Sequence, residues 1–297
     1  MSFGVDFSGG RSYIIRFDEN VNTTDVRGSL TDAFETAPDV KTFGSDRQIK
    51  VTTQYLIDDD GENVDEIIQN KLYESLKHNY SSDISYEQFA GNTDDMEQLV
   101  GILSSEKVGP TIVDEIIRGA IFAIVFALII ILGYITIRFK KWQYGVGGVI
   151  SLFHDALITL GIFSIAYGIL PFSMDIDQAF IAAILTIIGY SINDTVIIFD
   201  RIRENTGLHK KISLKENMNK ALNSTLPRTI NTSGTTMIVL LTIFLFGGEI
   251  IRGFTFALLV GVMIGTYSSL FTASPIAYDL LGGDKNEALP EKASKKK

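Results

Sequence analysis

Five long apolar stretches dominate the second part of the chain. The second stretch contains only His154 and Asp155 as ionisable residues, the third contains only Asp194, and the other three contain none. A helix needs about 20 mainly apolar residues to cross the hydrocarbon core of a bilayer. The pattern therefore predicts five membrane-spanning helices. The stretches are residues 119–137, 142–174, 178–199, 229–248 and 253–278.

In the first 115 residues the apolar positions recur at the short spacings of amphipathic helices and strands instead of forming long apolar stretches. Val26, Leu30 and Phe34 recur at four-residue spacing, which predicts a helix over Thr23–Phe34, and a similar apolar face predicts a second helix over residues 62–78. Alternating apolar and polar positions predict strands, with residues 44–47 as a hairpin turn between the second and third strands. The resulting order, βαββαβ, predicts a small α+β ferredoxin-like domain. The predicted strands are residues 11–17, 40–43, 48–56 and 98–104.

The composition is typical of a membrane protein and excludes several kinds of functional site. Of the 297 residues, 46% are hydrophobic and only 21% are charged, which argues against disorder and against an ordinary soluble enzyme. The chain has no cysteine, so a disulfide scaffold, a cysteine nucleophile and a thiolate metal site are excluded. Its three histidines are scattered, which disfavours a multi-histidine metal site. We therefore expect neither a metal nor another cofactor.

Charge divides the chain and predicts its orientation. Residues 1–115 contain 9 Lys and Arg against 23 Asp and Glu, a net charge of −14, whereas the remainder contains 17 against 12, a net charge of +5. Basic segments follow the first, third and fifth apolar stretches, and an acidic turn with Asp175 and Asp177 joins the second and third. The positive-inside rule then places the C-terminus in the cytoplasm and residues 1–115 outside.

This orientation predicts three regions and one absent helix. The regions are an external domain over residues 1–115, a membrane domain over 116–282 with a cytoplasmic loop at about 200–227, and a basic cytoplasmic tail over 283–297. Within the loop, the amphipathic basic segment 214–222 is expected on the inner membrane surface. Export of the first domain requires a signal peptide or an earlier span, and residues 1–6 are neither. We therefore expect a sixth, N-terminal span outside this sequence, the chain being a fragment or the second half of a longer polypeptide.

Ionisable side chains inside spans are the candidate functional residues, because each costs roughly 2.5–3.5 kcal/mol at the bilayer centre. Asp194 is expected to share one helix side with Tyr190 and Asn193, and Arg228, followed by a polar run, is expected to face it. Asp155, next to His154, is a third candidate, for which a polar packing contact is the alternative. For Asp194 a structural hydrogen bond or ion pair is the alternative, and for Arg228 a snorkelling anchor at the membrane interface.

Small residues recur every four positions in the last apolar stretch. Gly261, Gly265 and Ser269 belong to this stripe, with an alanine one turn beyond each end. Such a stripe lets another helix approach closely. We expect it to pack against a helix of this chain or of a partner.

An ordered set of motifs resembles the SecF family of bacterial protein translocation. The most specific is the sequence GYSINDTVIIFDRIREN over residues 189–205; the others are GVDFSGG at 4–10, VGP at 108–110, and RT at 228–229 followed by SGTT at 233–236. The resemblance implies the fold of the resistance-nodulation-division superfamily, with six spans of which this sequence lacks the first. It also leaves open that the chain is the C-terminal half of a SecDF fusion.

The same resemblance implies a function and partners. SecF works with SecD, separate or fused, and with the SecYEG channel, drawing preproteins outward after the SecA motor at the expense of the proton gradient. It implies that Asp194 and Arg228 belong to the proton path, with a further aspartate from SecD. No nucleotide-binding motif such as GxxxxGK[ST] is present, so we expect proton-coupled transport rather than enzymatic bond-making, and no nucleic-acid partner.

Two other functions remain open from the sequence. A small-molecule or lipid exporter of the same superfamily would carry similar spans, although such exporters generally have much larger external domains. A purely structural membrane subunit would use Asp194 and Arg228 only to hold helices together.

Overall fold

The computed structural model describes residues 2–34, 36–59, 61, 63–91, 100–170 and 172–283. These residues form two compact units. The first contains the chain up to Gly119 together with two short segments, Ala166–Ala179 and Gly248–Gly253, and the second contains the remaining helical segments. The first unit therefore includes two connections between apolar helices in addition to the N-terminal part of the chain.

The first unit is built on four antiparallel strands. The strands of this chain are β1 (Ser2–Phe3), β2 (Gly10–Arg16), β3 (Asp39–Phe43), β4 (Ser45–Thr53), β5 (Gly101–Val108) and β6 (Asp175–Ile176). The main sheet has the order β3-β4-β2-β5, and β1 pairs in parallel with β6 as a separate two-stranded ribbon. In the main sheet β2 pairs with both β4 and β5, so the first long strand of the chain lies in the middle.

Two helices cover one face of this sheet. The helices of this unit are α1 (Val5–Ser8), α2 (Thr23–Phe34), α3 (Val64–Leu76) and α4 (Tyr86–Phe89), with a 3-10 turn at Lys77–Asn79. The helix over Thr23–Phe34 has the predicted bounds, and its start is capped by Asn22, whose Oδ1 accepts a 2.8 Å hydrogen bond from the Thr24 amide. Leu30 and Ile68 are fully buried in the core between these helices and the sheet.

Three details of the sheet differ from the prediction. The β3–β4 turn is tighter than residues 44–47, because Phe43 already pairs with Ser45 across Gly44, whose φ of 82° suits glycine. The third sheet strand ends at Thr53 rather than at residue 56. The last strand runs over Gly101–Val108 rather than 98–104; residues 98 and 99 lie outside the described residues. This edge strand was misplaced because its exposed residues 103–107 do not alternate.

A buried ion cluster joins the sheet to the connection before the third apolar helix. Asp175 accepts from Lys41 Nζ at 2.7 Å, from Lys50 Nζ at 3.3 Å and from Ser173 Oγ at 2.9 Å. Its side chain is only 6% exposed. Burial alone would raise the pKa of the Asp175 carboxyl, but the two ammonium groups and the Ser173 hydroxyl outweigh it and hold the pKa well below its usual range. Asp175 therefore remains ionised at every physiological pH.

The second unit is helical. Its helices are α5 (Pro110–Phe139), α6 (Trp142–Ala166), α7 (Gln178–Leu208), α8 (Leu214–Phe246), α9 (Glu249–Ser268) and α10 (Ser274–Leu280), with a π-helical turn at Ser269–Ala273. Of these, α5, α7 and α9 begin within the first unit. In the described part of the chain, five helical segments are long and apolar enough to cross a membrane, the fifth being α9 to α10 taken together. This agrees with the five spans expected from the sequence.

The predicted cytoplasmic loop at about 200–227 is mostly helical. Helix α7 continues to Leu208, and α8 begins at Leu214, where Ser213 Oγ accepts a 3.1 Å hydrogen bond from the Glu216 amide. The expected separate helix over residues 214–222 is the start of α8, and its Met218 and Ala221 are buried in the helical core. The amphipathic face was therefore assigned correctly to a helix, but that face packs against protein.

The small-residue stripe packs within the chain. A Cβ atom at Gly261 would overlap the side chain of Ile187 on α7, and one at Gly265 would lie 3.0 Å from Ser191 Cβ. Both are closer than packed carbon atoms normally approach. Glycine at these positions therefore permits the close approach of α9 to α7.

Replacing Asp175 by asparagine is expected to destabilise the first unit by about 2–4 kcal/mol, because it removes the carboxylate that two largely buried lysines share. The pKa of Asp175 in the native protein lies below the value near 3.9 of an unfolded aspartate. The stabilisation is therefore fully present above about pH 3.9 and is lost progressively as the pH falls from there through the native pKa. The measurement is thermal unfolding of the wild type and Asp175→Asn from pH 3 to pH 7. Asp39→Asn is the control: Asp39 also contacts Lys41 but is 40% exposed, so a loss below about 1 kcal/mol is expected. An equal loss for both variants would contradict the role of Asp175.

Replacing Gly261 by alanine is expected to cost about 1–3 kcal/mol, since the new methyl group overlaps Ile187. Gly161→Ala is the matched control, because Gly161 lies inside α6 with no atom within 4 Å of its Cβ position. Thermal unfolding in detergent should show a lower midpoint for Gly261→Ala and an unchanged or higher one for Gly161→Ala. The pair Gly261→Ala with Ile187→Ala should recover part of the loss; no recovery would mean that the contact is not the cause.

Candidate functional site

Two buried carboxyl groups mark the interior of the helical unit. Asp155 on α6 is 0% exposed and Asp194 on α7 is 2% exposed. Aspartate is rarely buried unless it is paired or serves a function. Within the described residues, neither carboxylate forms an ion pair with a lysine or an arginine. Hydroxyl groups surround them instead.

Asp155 is held from three helices. Its Oδ2 accepts a 2.7 Å hydrogen bond from Ser191 Oγ on α7, and its Oδ1 lies 3.2 Å from His154 Nδ1. The Ser268 hydroxyl on α9 is also within hydrogen-bonding reach. The predicted candidate His154–Asp155 is thus a real contact, although the two residues are adjacent on one helix.

Asp194 is approached by a second group of hydroxyls. Ser233 Oγ on α8 donates to Asp194 Oδ2 at 3.4 Å, and Ser233 in turn accepts a 2.7 Å hydrogen bond from Thr266 Oγ1 on α9. The Tyr190 hydroxyl lies 3.5 Å from Ser233 Oγ and 3.3 Å from Thr236 Oγ1. Tyr190 therefore belongs to the same cluster as Asp194, as the sequence predicted.

Further hydroxyl contacts join α7 to the turn that follows α9. Ser191 and Asp194 are three residues apart and so lie on one side of α7. Ser269 Oγ contacts Thr195 Oγ1 at 2.9 Å and donates to the Ser191 carbonyl at 3.3 Å. Ser269 opens the π-helical turn, a distortion that often occurs at functional sites. A hydroxyl both donates and accepts, so each group of hydroxyls can pass a proton to or from the carboxyl that it contacts.

Glycine brings these groups together. At Gly265 a Cβ atom would lie 3.1 Å from Ser191 Oγ and 3.6 Å from Asp155 Oδ2. A side chain there would displace the hydroxyl that donates to Asp155. Gly265 and Ser269 of the predicted packing stripe are thus also part of the lining of the site.

Arg228 does not contact Asp194 directly. No hydrogen bond or ion pair joins the two side chains, which are both among the described residues, although Arg228 is near enough to act on the carboxylate by its charge. The arginine is exposed on α8, where it lines a cavity with Arg138 and Asp200. The expectation that Arg228 faces inward and contacts Asp194 is therefore wrong. Only a longer-range electrostatic interaction between the two residues remains.

Asn193 lies apart from the carboxylate cluster. It is exposed and lines a groove against α5 with Ile130 and Tyr134. A residue next to Asp194 on a helix points about 100° away, which separates the two side chains. The expectation that Asn193 shares a side with Asp194 is not met.

Sequence reasoning missed two serines that contact Asp155, namely Ser191 and Ser268. Ser191 precedes Asp194 by three residues on the same helix, and this spacing could have indicated it. Ser268 could not be found in this way, because the helix that carries it is distant in sequence. No group of three or more His, Cys, Asp or Glu side chains in the described ranges is arranged to hold a metal ion.

Comparison with known proteins identifies the family. The family model described as "Protein export membrane protein SecD/SecF, C-terminal" matches residues 88–282. The solved structure of SecDF from Thermus thermophilus, described as a translocon-associated membrane protein, superposes with a TM-score of 0.76 at 30% identity over 95% of this chain. A second SecDF structure, in a super-membrane-facing form, gives a TM-score of 0.62 at 29% identity over 97% of this chain. This chain covers 34% and 35% of those two SecDF chains, about a third of their length.

Relatives that this chain covers over most of their length are named protein translocase subunit SecF. The protein translocase subunit SecF of Rhodothermus marinus is 43% identical over 281 residues, which are 94% of this chain and 83% of the relative. The SecF of Haemophilus influenzae is 35% identical over 296 residues, 99% of this chain and 81% of the relative. The chain belongs to the SecF family of protein translocase subunits.

Proposed function

We propose that this chain is a proton-coupled subunit of the bacterial protein-export machinery, acting in the cell membrane without bond-making chemistry. The observation that carries the proposal is a pair of buried carboxylic groups, each of which is hydrogen-bonded by hydroxyls. These hydroxyls come from helices α7, α8 and α9. A purely structural bundle would not need ionisable groups there, because apolar side chains of similar size usually pack as well or better.

The proposed partner is SecD, as a separate subunit or as part of one fused chain. Support comes from the SecDF structures, in which a region similar to this chain forms about a third of a longer polypeptide. The description of one of them as translocon-associated supports a further association with the SecYEG channel, with preproteins as substrates and with SecA as the motor that precedes this step.

The proposed orientation puts residues 1–115 outside and the C-terminus in the cytoplasm, in the inner membrane of a bacterium. The basic segments that follow alternate spans support this arrangement. We assign the small domain to the ferredoxin-like class, which is supported by its βαββαβ order and the strand order β3-β4-β2-β5. Its net charge of −14 would favour contact with basic, unfolded preprotein segments.

The proposed mechanism uses Asp194 as the group that gains and loses a proton. A charged carboxylate in a low-dielectric site is costly and a neutral one is not, so its protonation changes the energy of helix packing around it. Ser233 supplies a hydrogen bond to either form, and the Tyr190 hydroxyl in turn contacts Ser233. Arg228 stays charged throughout and biases the equilibrium from a distance. Asp155, with Ser191, would be a second station on the same path.

Replacing Asp194 by asparagine is expected to reduce gradient-driven preprotein export to the level of membranes that lack SecF, because the amide retains the size and hydrogen bonding but cannot ionise. The measurement is export into vesicles that contain the SecD–SecF complex, with and without a proton gradient. Asp114→Asn is the matched control, since Asp114 lies on α5 with its side chain 72% exposed, and its variant should export normally. Normal export by Asp194→Asn, in a complex that assembles fully, would refute the assignment and make Asp155 or the SecD subunit the carrier.

At Arg228, charge rather than geometry is expected to matter, because no direct contact with Asp194 is present. Arg228→Lys should keep most gradient-dependent export, whereas Arg228→Gln should lose most of it. The same vesicle assay measures both, and Arg118→Gln, at an arginine with an 83% exposed side chain, is the control. Equal defects in the lysine and glutamine variants would instead indicate a bidentate contact that forms during transport.

A further inference from the structure

A basic cavity of about 800 Å³ lies where α5 and α7 end and α8 passes them. Four arginines and two acids line it, so its charged side chains carry 4 − 2 = +2 in total. These residues are Arg138, Asp200, Arg201, Arg203, Glu204 and Arg228. Neither the proposed proton path nor the packing of the helices accounts for four arginines in one cavity.

The cavity lies where the three helices change from apolar to charged. Arg138 is the first charged residue after the uncharged residues 119–137, and Arg228 immediately precedes the uncharged residues 229–248. On α7 the five residues before Asp200 are uncharged, and charged residues are frequent after it. In a bilayer, helices make this change at the level of the lipid phosphates.

Three of the four guanidinium groups are held in place by polar contacts, and all four keep free donors. Asp200 lies 2.9 Å from Arg138 Nη2 and 2.8 Å from Arg203 Nη2. Arg201 is bonded to Glu204 at 2.7 Å and to Ser224 Oγ at 3.0 Å. Each guanidinium has five N–H donors, so these contacts leave several unused. Among the described residues, the Arg228 side chain has no hydrogen bond or ion pair.

We propose that this cavity binds the phosphate group of an anionic phospholipid. Guanidinium groups match phosphate oxygens in a bidentate manner, and basic cavities between membrane helices on one side of the bilayer suit anionic headgroups. The cavity is also lined by the apolar residues Ile197 and Leu208, of which Leu208 is 69% exposed, and these offer surface for acyl chains beside the headgroup. A soluble phosphate or an acidic protein segment would make no use of them. This inference goes beyond the proposed function and does not depend on proton transfer.

The test measures lipid binding to the purified complex of the full chain with SecD in detergent. Fluorescent phosphatidylglycerol is the probe, and unlabelled phosphatidylglycerol, phosphatidylcholine, inorganic phosphate and polyglutamate are the competitors. Arg201→Gln should weaken binding at least about fivefold, and Glu204→Gln should strengthen it about threefold, because the net charge falls to +1 or rises to +3. Lys141→Gln is the control: it removes one positive charge beyond the same end of α5, outside the cavity, and should change affinity less than about twofold.

The outcomes separate the sources of the anion. Displacement by phosphatidylglycerol but not by the other competitors supports the lipid, whereas efficient displacement by inorganic phosphate or by polyglutamate overturns it in favour of a soluble anion or an acidic protein segment. Equal losses in Arg201→Gln and Lys141→Gln would show general surface attraction and would also overturn the proposal. If Arg201→Gln does not assemble, Glu204→Gln decides, because its binding must increase.

Discussion

Burial of a carboxyl group among helices is the constraint on which the helical unit depends. Asp155 and Asp194 can remain inside only where polar partners reach them, and in an apolar bundle these partners must come from neighbouring helices. Serine and threonine side chains are short, so the helices must approach closely. The glycines of α9 permit this approach: Gly261 leaves room for Ile187, and Gly265 leaves room for Ser191. Close packing of the helices is therefore what allows the short hydroxyl side chains to reach the buried carboxyl groups.

A comparable constraint operates in the first unit, with charges of opposite sign. Asp175 lies 134 residues along the chain from Lys41 and 125 from Lys50, yet all three side chains meet away from solvent. In the sequence, the acidic turn around Asp175 served only as a signal for membrane orientation. The structure gives it a second role, because its carboxylate ties a connection between two apolar helices to strands β3 and β4. The charge pattern of the sequence cannot distinguish an orientation signal from an ion-pair partner, since both roles require an acid at this position.

The elements that could be predicted are those whose signal is local. The span count, the helix Thr23–Phe34 and the order of the sheet elements follow from periodicity and length alone. Asp194 could be found because a charge in an apolar segment is conspicuous in the sequence. The error on Asn193 was avoidable, because adjacent residues of a helix point about 100° apart. The other errors concern positions whose environment is set by distant residues: the edge strand Gly101–Val108 and the packed face at the start of α8. Their partners are not encoded in neighbouring positions, so only the tertiary fold reveals them.

Arg228 connects the two charged regions of the helical unit. Its guanidinium lines the basic cavity and also acts on Asp194 through space. An anion in that cavity would offset part of this positive charge, and the ionised form of Asp194 would then lose part of its stabilisation. Because coupling between two binding equilibria is reciprocal, protonation of Asp194 would in turn alter the affinity for the anion by the same factor. The absence of a direct ion pair makes this coupling possible, since an arginine locked onto Asp194 could not also serve the cavity. The position of Arg228 thus suits a residue that senses both sites, rather than one that neutralises either.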